Sequence, residues 1–224
     1  MKRFFLLISH PVKGADLLSS NASWIGQCVL LLAVGVVIHA ASYSRIVQLT
    51  VDHLPASATQ ADRQAMTAIL DGQRWVSAAF LPFRMLGGFS GSALLLYFSI
   101  RAVSSGGGVH FGDVMALEVH AEPALLLGNL VASAAVFTGI QQNPYVNPFG
   151  IDQIFQGKLE NLAAANSINP FTLWYCAILA LGIARMFKMR YWKAIVAVMS
   201  TWVITFVMQE SALDLLRNFF HFRT

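Results

Sequence analysis

"WIGQCVLLLAVGVVIHAASYS", residues 24–44, runs for 21 residues without an aspartate, glutamate, lysine or arginine. A helix needs about 20 mostly apolar residues to cross the hydrocarbon core of a bilayer, so this stretch predicts a spanning helix. The bulk composition places the whole chain in the same solvent. Of its 224 residues 56% are hydrophobic and 12% charged, with a mean hydropathy of +0.60, whereas a soluble domain carries about 25% charged residues. Too few polar side chains remain to cover a water-facing surface, and the chain reads as an integral membrane protein.

Working outward, residues 80–103, 117–140, 171–187 and 191–208 supply further apolar runs of spanning length. Five spans occupy nearly the whole chain, leaving one domain over residues 1–224 and no room for a soluble enzyme module. The expected fold class is all-α, a polytopic bundle of five transmembrane helices with interfacial amphipathic segments. The start "MKRFFLLISHPVKG" resembles a signal peptide, but its apolar run, residues 4–8, is shorter than the about 7–15 residues such a region uses, and Pro11 and Lys13 follow at once. It reads as an uncleaved segment lying on the membrane surface.

The net charge of +4 and the isoelectric point near 9.3 raise nucleic acid as a partner. The 15 lysines and arginines, however, are scattered or flank apolar runs, with no basic stripe interleaved with aromatics. They read as topology determinants and anchors for anionic lipid headgroups. With a cytoplasmic N-terminus, Lys2, Arg3, Lys13, Arg101, Arg185, Lys188, Arg190 and Lys193 share the inner side. Arg45, Arg63, Arg74, Lys158, Arg217 and Arg223 then lie outside, with Arg84 at the membrane edge. The dense turn "ARMFKMRYWK" decides the orientation as N-terminus in and C-terminus out. Cys28 and Cys176 both fall in apolar runs and act as small hydrophobes.

Two longer connections face outward in this topology. Residues 51–75 are polar and partly helical. Residues 141–170 open with turn chemistry, "QQNPYVNPFG", followed by Ile151, Ile154, Phe155, Leu159, Leu162 and Ala163 at helical spacing. That stripe fits a helix on the outer membrane surface or a cap packed on the bundle. The tail repeats it with Leu213, Leu216, Phe219 and Phe220.

"LEVHAEPALLLGNLV", residues 117–131, is the one place where carboxylates meet an apolar run. Glu118 and Glu122 are i,i+4 neighbours on one helix face, while His120 stands roughly 200° round from Glu118. These three cannot chelate one metal from a regular helix, and the pattern is not HExxH. If the helix begins near Asp113, Glu122 lies about 13 Å inside the membrane, and its carboxyl needs protonation or a partner. Arg84 and His39 are candidate partners for it. If the span begins at Pro123, a favoured first-turn position, Glu122 is an anion at the helix N-terminus and residues 110–122 form a surface helix. Gly87 and Gly91 stand at GxxxG spacing, which fits helix packing inside the bundle or a self-association face. Tyr43, Tyr191, Trp24, Trp75, Trp174 and Trp192 fall near span ends as an aromatic belt does, with Trp202 deeper. No catalytic set, cofactor fingerprint or metal spacing appears; "SSGGG" (104–108) lacks the lysine of a phosphate loop. "NAS" at Asn21 is formally a glycosylation acceptor on the inner side.

Four stretches give the chain a family likeness. They are "FFLLISHPVKGADLL", "GGFSGSALLLYFSIRAVSSGGGVHFGDVMALEVHAEPALLLG", "NPFTLWYCAILALGIARMF" with Phe171, Trp174 and Gly182, and "RYWKAIVAV". In these it resembles the Yip domain (Ypt-interacting) family of five-span membrane proteins, particularly its bacterial branch. The resemblance implies a five-helix membrane fold, a bacterial cytoplasmic (inner) membrane location and, for some members, a place beside ABC-type exporters. The long cytosolic N-terminal region and the Asp-Leu-Tyr-Gly-Pro motif of the GTPase-binding eukaryotic members are absent, so GTPase binding does not carry over. The expected function is therefore non-enzymatic and without cofactors: a scaffold or accessory subunit of a larger membrane complex. Its expected partners are membrane lipids and a second membrane protein or another copy of the chain, with no nucleic acid. The alternative is a small transporter or permeation subunit using Arg84, Glu118 and Glu122.

Overall fold

A computed structural model describes residues 11–20, 23–52, 54–55, 57–104, 108–138, 149–150 and 168–221, with the side chains of 209–221 outside the description. The first residues of the leader, Asn21, most of "SSGGG" and the stripe from Ile151 to Ala163 lie outside the described residues, as does the contact face of the tail stripe. The described chain is all helix: α1 (Pro11–Ser20), α2 (Ile25–Asp52), α3 (Gln60–Val103), α4 (Phe111–Ala121), α5 (Pro123–Phe137), α6 (Pro170–Met186) and α7 (Tyr191–His221). No strand occurs among the described residues.

Among the described residues, four apolar segments are long enough to cross a membrane: Ile25–Asp52, Gln60–Val103, Phe111–Ala135 and Tyr191–Met208. Pro170–Met186 is equally apolar in character and shorter, at 17 residues. Several helices overrun the expected spans. At 44 residues, α3 is about 66 Å long, twice the hydrocarbon thickness of about 30 Å. Its first turns therefore project beyond the bilayer, and much of the polar connection read at 51–75 is helix. Thr59 starts it with a capping box: its N–H and hydroxyl donate to Asp62 Oδ2 at 2.8 and 2.7 Å, and the Asp62 N–H donates to Thr59 Oγ1 at 3.2 Å. Pro82 lies within the same helix.

The α2–α3 pair is joined by side chains that bond across it. Tyr43, placed in the aromatic belt by its sequence position, is instead buried and donates its hydroxyl to Leu70 O at 2.6 Å. Arg63 donates to Val51 O at 2.9 Å. On the other flank, α3 meets α7 through buried Ser99 and Thr201, whose hydroxyl oxygens are 3.0 Å apart. Asn169 caps α6, its Oδ1 accepting from Phe171 N and Thr172 N at 3.0 Å each, with Pro170 in the first turn. The α6–α7 turn closes with Met189 N donating to Ala184 O at 3.0 Å around Lys188, whose φ is 50°.

The segment that begins at α4 is the centre of the bundle. Of its best apolar window 61% is buried, against 17–22% for the other spanning segments. Helix α4 touches α1, α2, α3 and α6, so every residue from 114 to 121 is buried. Helix α1 contributes Ala15 and Leu18 to this core, packing on α4 and α6. Gly182 of α6 permits the closest approach: a Cβ there would stand 2.3 Å from Leu117 Cδ1, and Leu117 is fully buried. A Cβ on Gly35 would meet the sulfur of half-buried Met85 at 2.7 Å, the end of a flexible side chain.

This difference predicts that Gly182→Ala lowers stability by about 1–3 kcal/mol, the cost of overpacking a filled core, whereas Gly35→Ala costs clearly less. Thermal unfolding midpoints in detergent check the order. At the α3 start, the Thr59 hydroxyl, then its N–H, holds the Asp62 carboxyl below the usual carboxylate range. The capping bond is therefore complete above that range and is lost as pH falls through the lowered value. A carbon-13 titration of the Asp62 carboxyl should show this low midpoint, moving up toward the ordinary range in Thr59→Ala.

Candidate functional site

Glu118 of α4 and Glu122 just past its end stand one turn apart, and the backbone runs through both. Glu122 N donates to Glu118 O at 3.1 Å and Leu126 N to Glu122 O at 2.9 Å. Pro123 lacks an N–H and so cannot bond back one turn, which leaves a single-residue break at Glu122 between α4 and α5. The helix thus begins at Phe111 rather than at Leu117 or Pro123. The helix start is close to the earlier of the two starts open to the sequence, and a second helix begins at Pro123. Residues 114–121 are buried by the helices packed on α4.

Glu118 is 0% exposed. The Tyr175 hydroxyl of α6 donates to its Oε1, while Oε2 has no hydrogen-bond partner. Ser92 of α3 stands close enough to act on the same carboxyl and on Tyr175, without meeting hydrogen-bond geometry at Oε2. Glu122 lies within electrostatic range of both Glu118 and Tyr175. His120, on the opposite side of α4, is buried and donates from Nδ1 to Ala116 O at 2.8 Å.

Glu122, Ser92, Tyr175, Thr172, Cys176 and Thr201 face a cleft of about 410 Å³ between α3, the start of α5, α6 and α7. Its other walls include Met85, Phe89, Leu125, Trp202 and Phe206. Trp202 and Phe206 are stacked with ring centroids 6.2 Å apart and planes 15° from parallel. Chemically, the cleft offers carboxyl and hydroxyl oxygens at one part of an apolar space. These can take a cation or a hydrogen-bond donor, and the Tyr175 hydroxyl links the cleft to Glu118.

The other residues singled out by sequence stand elsewhere. His39 bonds across α2–α3 to Ser77 Oγ at 3.0 Å, and since the Ser77 hydroxyl donates to Arg74 O at 2.9 Å, Nε2 of His39 is the donor. Arg84 lies on an exposed side of α3, in electrostatic range of His39. Neither residue lines the cleft, so the pairing of Arg84 or His39 with Glu122 is not formed. Gly87 and Gly91 are exposed, and a Cβ added at either would meet nothing within 4 Å. They serve no helix approach inside the described bundle. Sequence reasoning missed Tyr175 and Ser92 as partners of Glu118. The available signal was partial: Ser92 is a polar side chain in the middle of a span, whereas Tyr175 follows Trp174 near a span end and reads as part of the aromatic belt. Among the described residues no group of three histidine, cysteine or acidic side chains is placed to hold a metal.

Removing the Tyr175 hydroxyl leaves both buried oxygens of Glu118 without a donor. Tyr175→Phe should therefore destabilise the protein by about 1–3 kcal/mol, read as a lowered unfolding midpoint in detergent. Glu118→Leu combined with Tyr175→Phe should lose less than the sum of the single changes; additive losses would show that the two groups are uncoupled.

Comparison of the chain with protein-family models, with curated proteins and with solved structures finds no match.

Proposed function

We propose that this chain is a five-span integral membrane protein of the Yip-like layout, in which the 17-residue α6 is the additional span. It works by binding rather than by catalysis, as a scaffold or accessory subunit of a larger membrane assembly such as an exporter. Its setting in this reading is a bacterial cytoplasmic membrane, with the N-terminus inside and the C-terminus outside. The short basic turn between α6 and α7 supports that orientation. The observation that carries the reading is a stripe along α3: Phe80, Phe83, Gly87, Gly91, Leu94 and Phe98 recur at three- and four-residue spacing, and all six are exposed. Lipid tails fill any apolar surface, but they do not call for glycine. A glycine notch between bulky residues suits a second helix, whose backbone can approach closely and gain dispersion contacts where no hydrophobic drive exists.

The test is purification of the tagged protein from its native membrane in mild detergent, with mass spectrometry of what remains bound. A stoichiometric membrane-protein partner, or a defined oligomer of the chain itself, is expected. Gly87→Leu with Gly91→Leu should release it while leaving the unfolding midpoint of the single chain unchanged, since nothing stands within 4 Å of either position. A wild-type chain recovered alone as a monomer, or a partner retained by the double variant, would contradict the reading.

A second reading, a small transporter or permeation subunit, is favoured by one observation, the presence of Glu122 on the wall of the 410 Å³ cleft. In that case Glu122→Gln abolishes a proton- or solute-dependent flux across proteoliposomes, whereas a scaffold shows no such flux in either form.

A further inference from the structure

Glu118 of α4 and Glu122 at the α4–α5 break bring two carboxyls together in a largely apolar interior. Removing a carboxylate from water is costly unless a countercharge and hydrogen bonds replace the hydration. Glu118 receives one bond, from Tyr175, and its Oε2 receives none. Glu122 adds a second acidic group one turn away, on the cleft wall. Among the described residues lining that cleft there is no lysine, arginine or histidine. The candidate cations singled out in the sequence are placed elsewhere, with Arg84 on an exposed side of α3 and His39 bonded to Ser77. No basic side chain among the described lining residues balances the site, so its carboxyls are held by protonation or by a cation that enters the cleft.

The shape and the remaining walls restrict what could supply it. A volume of about 410 Å³ exceeds what a bare ion fills and falls in the range of about 300–1,000 Å³ typical of small organic ligands. Met85, Phe89 and Leu125 offer apolar contact. Trp202 and Phe206 add a pair of stacked aromatic rings, and the negative faces of such rings attract organic cations. An anion would meet two carboxyls without a positive partner. A small hard cation would require a shell of oxygen ligands, and it would gain nothing from the apolar and aromatic walls.

We propose that the cleft between α3, α5, α6 and α7 binds a lipophilic organic cation, an ammonium or similar positive centre on an apolar body. Glu122 meets the charge, Glu118 stands behind Tyr175 as the second acidic group, and Trp202 with Phe206 contacts the body. This assignment rests on the cleft that favours the second reading above, and is independent of the partner face on α3. Binding need not be followed by transport. Saturable cation binding by a wild-type chain that shows no flux would therefore sink the transporter reading and leave this one standing.

The experiment is equilibrium dialysis of radiolabelled tetraphenylphosphonium against the full chain in phosphatidylglycerol nanodiscs, with empty nanodiscs subtracted. Tetraphenylborate, of matched shape and opposite charge, is run in parallel. The expected result is saturable uptake of the cation at one per chain, no saturable uptake of the anion, and a dissociation constant raised about tenfold or more in Glu122→Gln. If Glu122→Gln does not fold, Trp202→Leu takes its place, with weaker cation binding expected. Nanodiscs containing phosphatidylethanolamine separate the two sources of the charge. Competition there identifies a lipid headgroup ammonium as the occupant, and unchanged binding identifies a free amphiphile. Absence of saturable cation uptake, equal uptake of the anion, or full affinity in folded Glu122→Gln overturns the proposal.

Discussion

The bond from the Tyr175 hydroxyl to Glu118 is the contact on which the arrangement of the interior depends. A carboxyl at this depth has no water to turn to, so its position must be chosen by whatever donors the protein can bring to it. The donor is the Tyr175 hydroxyl of α6, and the Ser92 hydroxyl of α3 stands near the same carboxyl. That requirement fixes the rotation of α4 about its own axis and sets which faces of α3 and α6 look inward. The packing agrees with it. Gly182 lets α6 settle against Leu117, the residue next to Glu118, and residues 114–121 are closed in by α1, α2, α3 and α6. Placing Glu118 also places Glu122, one helical turn on, at the wall of the cleft.

Much of the fold was legible in the sequence because bilayer thickness translates directly into run length. Residues 24–44, 171–187 and 191–208 each read as apolar runs, and helices lie over them. The register of the central helix was not legible. Pro123 is an equally good first-turn residue and interior break, and local propensity cannot distinguish them. What decided it was tertiary: of the helices packed on α4, the short α1, α2 and α6 lie far from it in sequence. The same limit explains Tyr43. Its position near a span end suits an interfacial belt, but α3 continues outward as a helix and brings Leu70 O to its hydroxyl.

The glycines show the matter from the other side. Gly87 and Gly91 have GxxxG spacing, yet among the described residues the close approaches are made at Gly35, Gly128 and Gly182, which share no such motif. Spacing along one helix says that a notch exists and does not say what enters it. Partner chemistry was equally hidden, since Glu118 and Tyr175 are 57 residues apart. The resulting molecule has a filled, polar-centred interior around α4 and an α3 face left open. That division fits a protein whose outer surface meets a neighbour while its interior holds a small polar site.

Cysteine accessibility across the central segment tests the account most directly. In a cysteine-free background with Cys28 and Cys176 replaced, single cysteines at Asp113, Val119 and Thr138 are challenged with a membrane-impermeant maleimide added from either side. The account predicts labelling at 113 and 138 from opposite sides and protection at 119, because α4 and α5 cross as one segment with the carboxyl pair inside. Labelling of 113 and 138 from the same side, or free labelling of 119 from water, would contradict it.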